Sequence, residues 1–179
     1  MNLHNLRVFY ALWPDGNVNS DLAETARRMH RTVGGRRTRD DSIHLTMAFV
    51  GDVDGARLAE LLVPPAELTV TRFTLTLDRW GCWPRNGTAW VAPSRVPDPL
   101  RELAARMEAW LRDAGFEMDA RPFHPHVTLV RKAECAPVPD STPIIDWQVE
   151  DFVLVRSTLA SDGSRYEPIG RWPLAGVHS

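Results

Sequence analysis

The sequence predicts an α+β protein made of two similar units that face each other across a cleft, and three observations carry that expectation. The first is a motif that occurs twice. Ser42-Ile43-His44-Leu45-Thr46-Met47-Ala48-Phe49 and Phe123-His124-Pro125-His126-Val127-Thr128-Leu129-Val130-Arg131 each place a histidine and a threonine two residues apart in an apolar, β-prone run. The second is spacing: His44 and His126 stand 82 positions apart in a chain of 179 residues, nearly half its length. The third is the order of elements, strand, helix, histidine strand, short helix and strands, then helix, histidine strand and strands again. Together these describe a duplicated α+β unit with a cleft near a pseudo-twofold axis, expected as one domain over residues 1–179.

Side chains alternate between the faces of a strand, so residues two apart lie side by side. His44 and Thr46 therefore share one face, while Ile43, Leu45, Met47 and Phe49 line the other. In the second copy His126, Thr128 and Val130 share a face opposite Val127 and Leu129. Core packing gives no reason to put an imidazole and a hydroxyl together twice. Two polar faces lining one cleft do.

The remaining elements follow in order. Leu6 to Leu12 reads as a buried first strand, stopped by Pro14, Asp15 and Gly16. Ser20 is the expected N-cap of a helix running to about Thr32, with Asp21 and Glu24 in its first turn. The loop Gly34-Gly35-Arg36-Arg37-Thr38-Arg39, with Arg27, Arg28 and Arg31, concentrates positive charge just before His44. A solvated helix face and loop would look the same, but a basic rim beside a candidate site also suits a phosphate-bearing ligand. Ala56 to Leu62 predicts a short helix and Leu68 to Leu77 a half-buried strand. Asp78 to Gly87 reads as turn-rich, and Thr88 to Val91 as a short strand. Asp98-Pro99 opens a helix to about Ala114, whose apolar face is Leu100, Leu103, Ala104, Met107, Trp110 and Leu111, with Gly115 as its stop. After the His126 strand come a proline-rich connection from Ala136 to Pro143 and strands at Ile144–Val149 and Phe152–Leu159. A turn at Asp162-Gly163 leads to a last strand near Tyr166 to Trp172.

Composition excludes several classes. Net charge is −2, so the protein as a whole is no bulk binder of nucleic acid, and any anion affinity must be local. No apolar run reaches membrane-spanning length, and Met1 to Val8 lacks the pattern of a secretory leader. Cys82 and Cys135 are too few for a disulfide scaffold and lack metal-ligand spacing. A reduced, cytoplasmic setting without membrane attachment is expected.

Two histidines across a cleft suit acid–base catalysis near neutral pH, with a threonine beside each to donate to a phosphoryl oxygen. Arg131, five residues past His126, is placed to clamp phosphate from the strand end. Three other readings compete. A single strand histidine is usually structural, though two in matching context argue otherwise. His124 and His126 share strand parity and would suit a metal, but no third ligand stands at a recognisable spacing. Trp80, Trp83 and Trp90 would allow nucleotide ends to bind without turnover, since aromatic faces stack bases, although turn or core packing also accounts for them.

His44-Leu45-Thr46 and His126-Val127-Thr128 resemble the paired H-x-T motifs of the two-histidine phosphoesterases. With Arg7-Val8-Phe9-Tyr10-Ala11-Leu12, His44 to Gly51 and Pro125 to Arg131, the chain is most similar to the RNA 2′,3′-cyclic phosphodiesterase family, also called 2′-5′ RNA ligases. The resemblance implies a bilobal pseudo-twofold α+β fold, with two antiparallel sheets lining a central groove and helices outside. It implies opening of RNA 2′,3′-cyclic phosphate ends to 2′-phosphates without metal or other cofactor, and reversible 2′-5′ joining of tRNA halves. Carried over, His44, Thr46, His126 and Thr128 are the catalytic positions, Arg131 joins the threonines on phosphate, and Phe9 lies near the groove. His126 is the expected base and His44 the expected acid. Arg36, Arg37 and Arg39 are expected to touch flanking RNA. RNA ends or cyclic nucleotides are the expected substrates of a monomeric enzyme. The alternatives are an RNA-end binder without turnover and a phosphodiesterase of small cyclic or 2′-5′-linked nucleotides.

Overall fold

The computed structural model describes residues 6–136, 141–161 and 163–176. The turn at Asp162, the middle of the proline-rich connection and the first five residues of the leader comparison lie outside the described residues. Along the chain the elements are β1 (Leu6–Leu12), α1 (Gly16–Val33), β2 (Arg36–Arg37), β3 (Leu45–Val53), α2 (Gly55–Leu61), β4 (Phe73–Leu77), β5 (Arg79–Trp83), β6 (Thr88–Ala92), α3 (Asp98–Asp113), β7 (Val127–Arg131), β8 (Ile145–Val149), β9 (Asp151–Ala160) and β10 (Gly163–Pro173). Short 3-10 helices stand at Asp40–Ser42 and Ala66–Leu68.

Eight strands form an antiparallel sheet in the order β10-β9-β1-β3-β7-β6-β5, with β2 paired to β7 off that path. A separate antiparallel pair joins β4 and β8. The long sheet consists of two arms that meet at one residue pair, Leu45 with Val127. The first arm holds β10, β9, β1 and β3; the second holds β7, β6, β5 and β2.

β1 is buried on both faces, which is why its run is apolar throughout. Val8, Tyr10 and Leu12 point into the main core with the buried faces of α1 and α3. Phe9 and Ala11 point the other way, into a small cluster with Val153 and Val155. Tyr10 is tolerated at full burial because its hydroxyl donates to the Leu61 carbonyl at 2.6 Å.

Several expectations need correction. α1 starts at Gly16, four residues before the expected cap, and Ser20 lies inside it with its hydroxyl donating to the Gly16 carbonyl. Val18 packs against the core, and that contact extends the helix past the local cap signal. The expected strand from Leu68 shrinks to Phe73–Leu77, preceded by a 3-10 turn. The turn-rich stretch contains β5, because Gly81 lies opposite Trp90 and the missing side chain makes room for the indole: a Cβ there would stand 2.2 Å from it. α3 begins one residue early, after Pro97. Its end is a Schellman turn in which Phe116 N–H donates to the Leu111 carbonyl and Gly115 N–H to that of Arg112.

Cys82 and Cys135 form a disulfide, with Cα atoms 5.5 Å apart. The two cysteines, read from sequence as too few for a disulfide scaffold and as pointing to a reduced setting, are therefore paired. The bond ties edge strand β5 to the segment after β7, and sheet pairing through β6 brings together residues 53 positions apart. Among the described residues no helix is long and apolar enough to cross a membrane.

Candidate active site

The two histidine motifs meet at the seam between the arms. In an antiparallel pair one strand counts up as the other counts down. From Leu45 opposite Val127, the neighbouring positions set His44 toward Thr128 and Thr46 toward His126. Leu45 and Val127 are fully buried in the core, so the four polar residues beside them project from the opposite, open face. The H-x-T pattern is thus complementary to itself across the seam.

Each imidazole is held in the same way. His44 Nδ1 donates to the Ser42 carbonyl at 2.8 Å, and His126 Nδ1 donates to the His124 carbonyl at 2.7 Å. Both bonds run back two residues along extended backbone. Ser42 is fixed by its own N–H bond to the Arg39 carbonyl, and Pro125 biases His124 toward extended backbone. With Nδ1 carrying the hydrogen, Nε2 of each neutral ring keeps its lone pair. At His44 that nitrogen lies 3.1 Å from Thr46 Oγ1, whose hydroxyl donates to it.

The surroundings differ. His44 is stacked on Trp13, with ring centroids 5.4 Å apart and planes 7° from parallel. The ring centroids of Phe9 and Tyr166 lie 4.9 Å and 5.2 Å from that of His44, with Tyr166 nearly perpendicular to it. Burial among them pushes the His44 pKa down to about 4; the bond to Ser42 opposes that shift, while the Arg131 and His126 charges add to it. His126 meets Trp83 edge-on at 4.6 Å and Trp90 at 6.5 Å. Its pKa is also lowered, chiefly by burial, with the His124 carbonyl opposing and the charges of Arg131 and His124 adding. Both shifts favour the neutral ring at pH 7.

Arg131 reaches this face through a β-bulge. Ala89 pairs with Val130 and Trp90 with Thr128, so β7 carries an extra residue, Leu129, between two consecutive residues of β6. Simple alternation puts Arg131 on the face away from His126; the bulge turns it back. Its charge acts on both imidazoles.

A groove of about 750 Å3 opens beside His126 and Thr46, with Trp83, Phe123, Arg85 and His124 among its walls. Phe9, expected near the groove, is 4% exposed and serves instead as packing behind His44. Trp90 lies across Gly81. Arg36, Arg37, Arg39 and Arg131 gather at a smaller pocket of about 120 Å3 with Ser42, Ser164 and Tyr166. Arg37 is ion-paired with Asp40 and Arg39 with Asp41. Sequence reasoning missed Trp13 and Tyr166. Trp13 at the end of the first strand, before Pro14, offered a weak signal; Tyr166 comes from the last hairpin and offered none. Among the described residues, no group of three or more His, Cys, Asp or Glu side chains is arranged to hold a metal ion.

A family model described as LigT like Phosphoesterase matches the chain twice, over residues 12–90 and 91–166, with one histidine motif in each match. The RNA 2′,3′-cyclic phosphodiesterase of Escherichia coli (strain K12) is 32% identical over 171 residues, covering 94% of this chain and 96% of its own. The protein of the same name from Thermus thermophilus is 30% identical over 193 aligned positions, covering 97% and 92%. Among solved structures, E. coli LigT in apo form superposes with a TM-score of 0.83 at 30% identity, covering 96% of this chain and 99% of that one. The same protein complexed with 3′-AMP gives 0.84 over the same coverage. The repeated family match, the near full-length relatives and the paired, identically locked histidines show that the chain belongs to the LigT-like family of two-histidine phosphoesterases.

Proposed function

We propose that this protein is an RNA 2′,3′-cyclic phosphodiesterase, opening terminal cyclic phosphates to 2′-phosphates without a metal, with reversible 2′-5′ joining as the related reaction in which a 5′-hydroxyl replaces water. The observation that carries the reading is the matched pair of Nδ1-locked imidazoles on one open face, with the Arg131 charge acting on both.

His126 opens to the groove and is assigned as base: its Nε2 takes a proton from water as the oxygen attacks phosphorus. The P–O3′ bond breaks, and the leaving oxygen takes a proton from His44 Nε2. For this step His44 carries a proton on Nε2, and the negative charge of the phosphodiester opposes that of Arg131 and favours the protonated ring. Once His44 is protonated, the Thr46 hydroxyl no longer has a lone pair there to donate to and turns to a phosphoryl oxygen. Thr128 and Arg131 hold the others as charge builds. Strain in the five-membered cyclic ester lowers the remaining barrier.

The test is incubation with a nucleoside 2′,3′-cyclic phosphate in excess EDTA, with the 2′- and 3′-phosphates separated. The 2′-phosphate is expected, at a rate indifferent to chelator. Loss of turnover in EDTA with rescue by zinc would favour a metal site at His124 and His126. A 3′-phosphate product would overturn the assignment of the leaving oxygen.

A further inference from the structure

The basic pocket beside His44 sets Arg36, Arg37 and Arg39, which the acid–base chemistry does not use, next to Arg131, which it does. Arg36 stands opposite Arg131 in the antiparallel β2–β7 pair, so the two side chains share a face. Among the described residues neither has a carboxylate partner, whereas Arg37 and Arg39 next to them do. Like charges side by side are unfavourable unless an anion joins them. The approach of the strands depends on Gly35, which has φ +77° and whose Cβ would stand 2.4 Å from the Arg131 carbonyl oxygen. At the far wall, the Arg36 guanidinium lies 3.6 Å from the Cβ position of Gly163, under the tip of the β9–β10 hairpin. Ser164 and Ser42 add hydroxyls to the lining. At about 120 Å3 the pocket has room for a phosphoryl group.

Its position ties it to the reaction. Ser42, in its wall, accepts the His44 Nδ1 hydrogen, and Tyr166, in its wall, contacts the His44 ring. The base-sized groove lies on the His126 side. We propose that this pocket is a second phosphate subsite, which takes the 5′-phosphate of the nucleotide whose cyclic end is opened. The proposal rests on the phosphodiesterase reading above and narrows its substrate to nucleotides carrying a 5′-phosphate or a 5′-linked chain, with Arg36 as the residue that selects them.

Two measurements test it separately from that reading. The first compares kcat/KM on a nucleoside 2′,3′-cyclic phosphate with a 5′-hydroxyl, the same compound with a 5′-phosphate, and a dinucleotide ending in the cyclic phosphate. The 5′-phosphorylated forms should be favoured roughly tenfold or more, chiefly through KM, and Arg36→Gln should bring that ratio close to one. Ser164→Ala should lower it in part. A merely structural role for Arg36 would reduce all three rates together and leave the ratio. The second measurement needs no turnover: equilibrium binding of a nucleoside 2′,5′-bisphosphate against the 2′-monophosphate, before and after Arg36→Gln. A binding contrast that depends on Arg36 in a protein that hydrolyses nothing would sink the phosphodiesterase reading and keep the anion subsite. Hydrolysis without any 5′-phosphate preference, or a preference that survives Arg36→Gln, would overturn the subsite and leave the phosphodiesterase reading in place.

Discussion

On the first arm of the sheet, His44 sits between Trp13, Phe9 and Tyr166, with Thr46 covering its Nε2. On the second, His126 meets one indole edge closely and faces an open groove. Yet both rings hang from the carbonyl two residues back, through the same nitrogen. A duplicated backbone device therefore holds two equivalent groups, and their surroundings make them unequal. Local geometry sets the tautomer. Packing from distant strands sets how far each pKa is lowered.

The largest effect should come from removing either ring. His44→Ala or His126→Ala should cost about a hundred- to ten-thousand-fold in turnover, equivalent to roughly 3 to 5 kcal/mol. The double variant should be little worse than the worse single, because acid and base act in one passage. Measured on folded protein, near-native turnover in either single variant would break the equivalence of the two sites.

The disulfide belongs to one arm alone, and so distinguishes them in stability. Closing a loop across 53 positions is worth up to about 4 kcal/mol by chain entropy. Denaturant unfolding of the Cys82→Ser, Cys135→Ser protein should show a loss of that order or smaller. Hydrogen exchange should rise in β5 and β6 before β1 and β3. Equal protection in both arms would show that the bond staples nothing.

The pH dependence of stability separates the two environments next. An imidazole held near pKa 4 in the fold and near 6.5 when unfolded binds its proton more readily in the unfolded chain between those values. Stability is thus complete above about pH 6.5 and falls as pH drops toward 4, by at most roughly 3 kcal/mol from this group. His44→Gln should flatten that fall in urea titrations across the range. His126→Gln should flatten it less, because the ring is more open. The reverse ranking would contradict the aromatic enclosure of His44.

The smallest effects sharpen the contrast further. Thr46→Val and Thr128→Val keep shape and delete a hydroxyl, each costing roughly 1 to 3 kcal/mol in transition-state stabilisation. Turnover by an acid–base pair should give a bell-shaped pH–rate profile, and of the two threonines Thr46 alone covers an imidazole nitrogen, so only its variant should move a limb of that profile. Matching profiles in the two variants would make that hydrogen bond incidental.

Strand parity is local, and for that reason the sequence alone determined which residues form the polar face: His44 with Thr46 and His126 with Thr128 follow from a period of two. The same locality made β1 and α3 legible from their apolar spacing, and Gly115 from the backbone it permits. What needed the tertiary structure depends on how separate strands pair. Arg131 joins the histidines only because β6 imposes a bulge on β7, and no residue near Arg131 announces it. Phe9 becomes packing, and not a groove contact, because β9 and β10 close over it. Tyr166 comes to His44, and Cys135 to Cys82, through sheet order. Alternation along one strand is a property of its own covalent geometry, whereas register, bulges and edges belong to pairs of strands, and pairs exist only in the folded sheet.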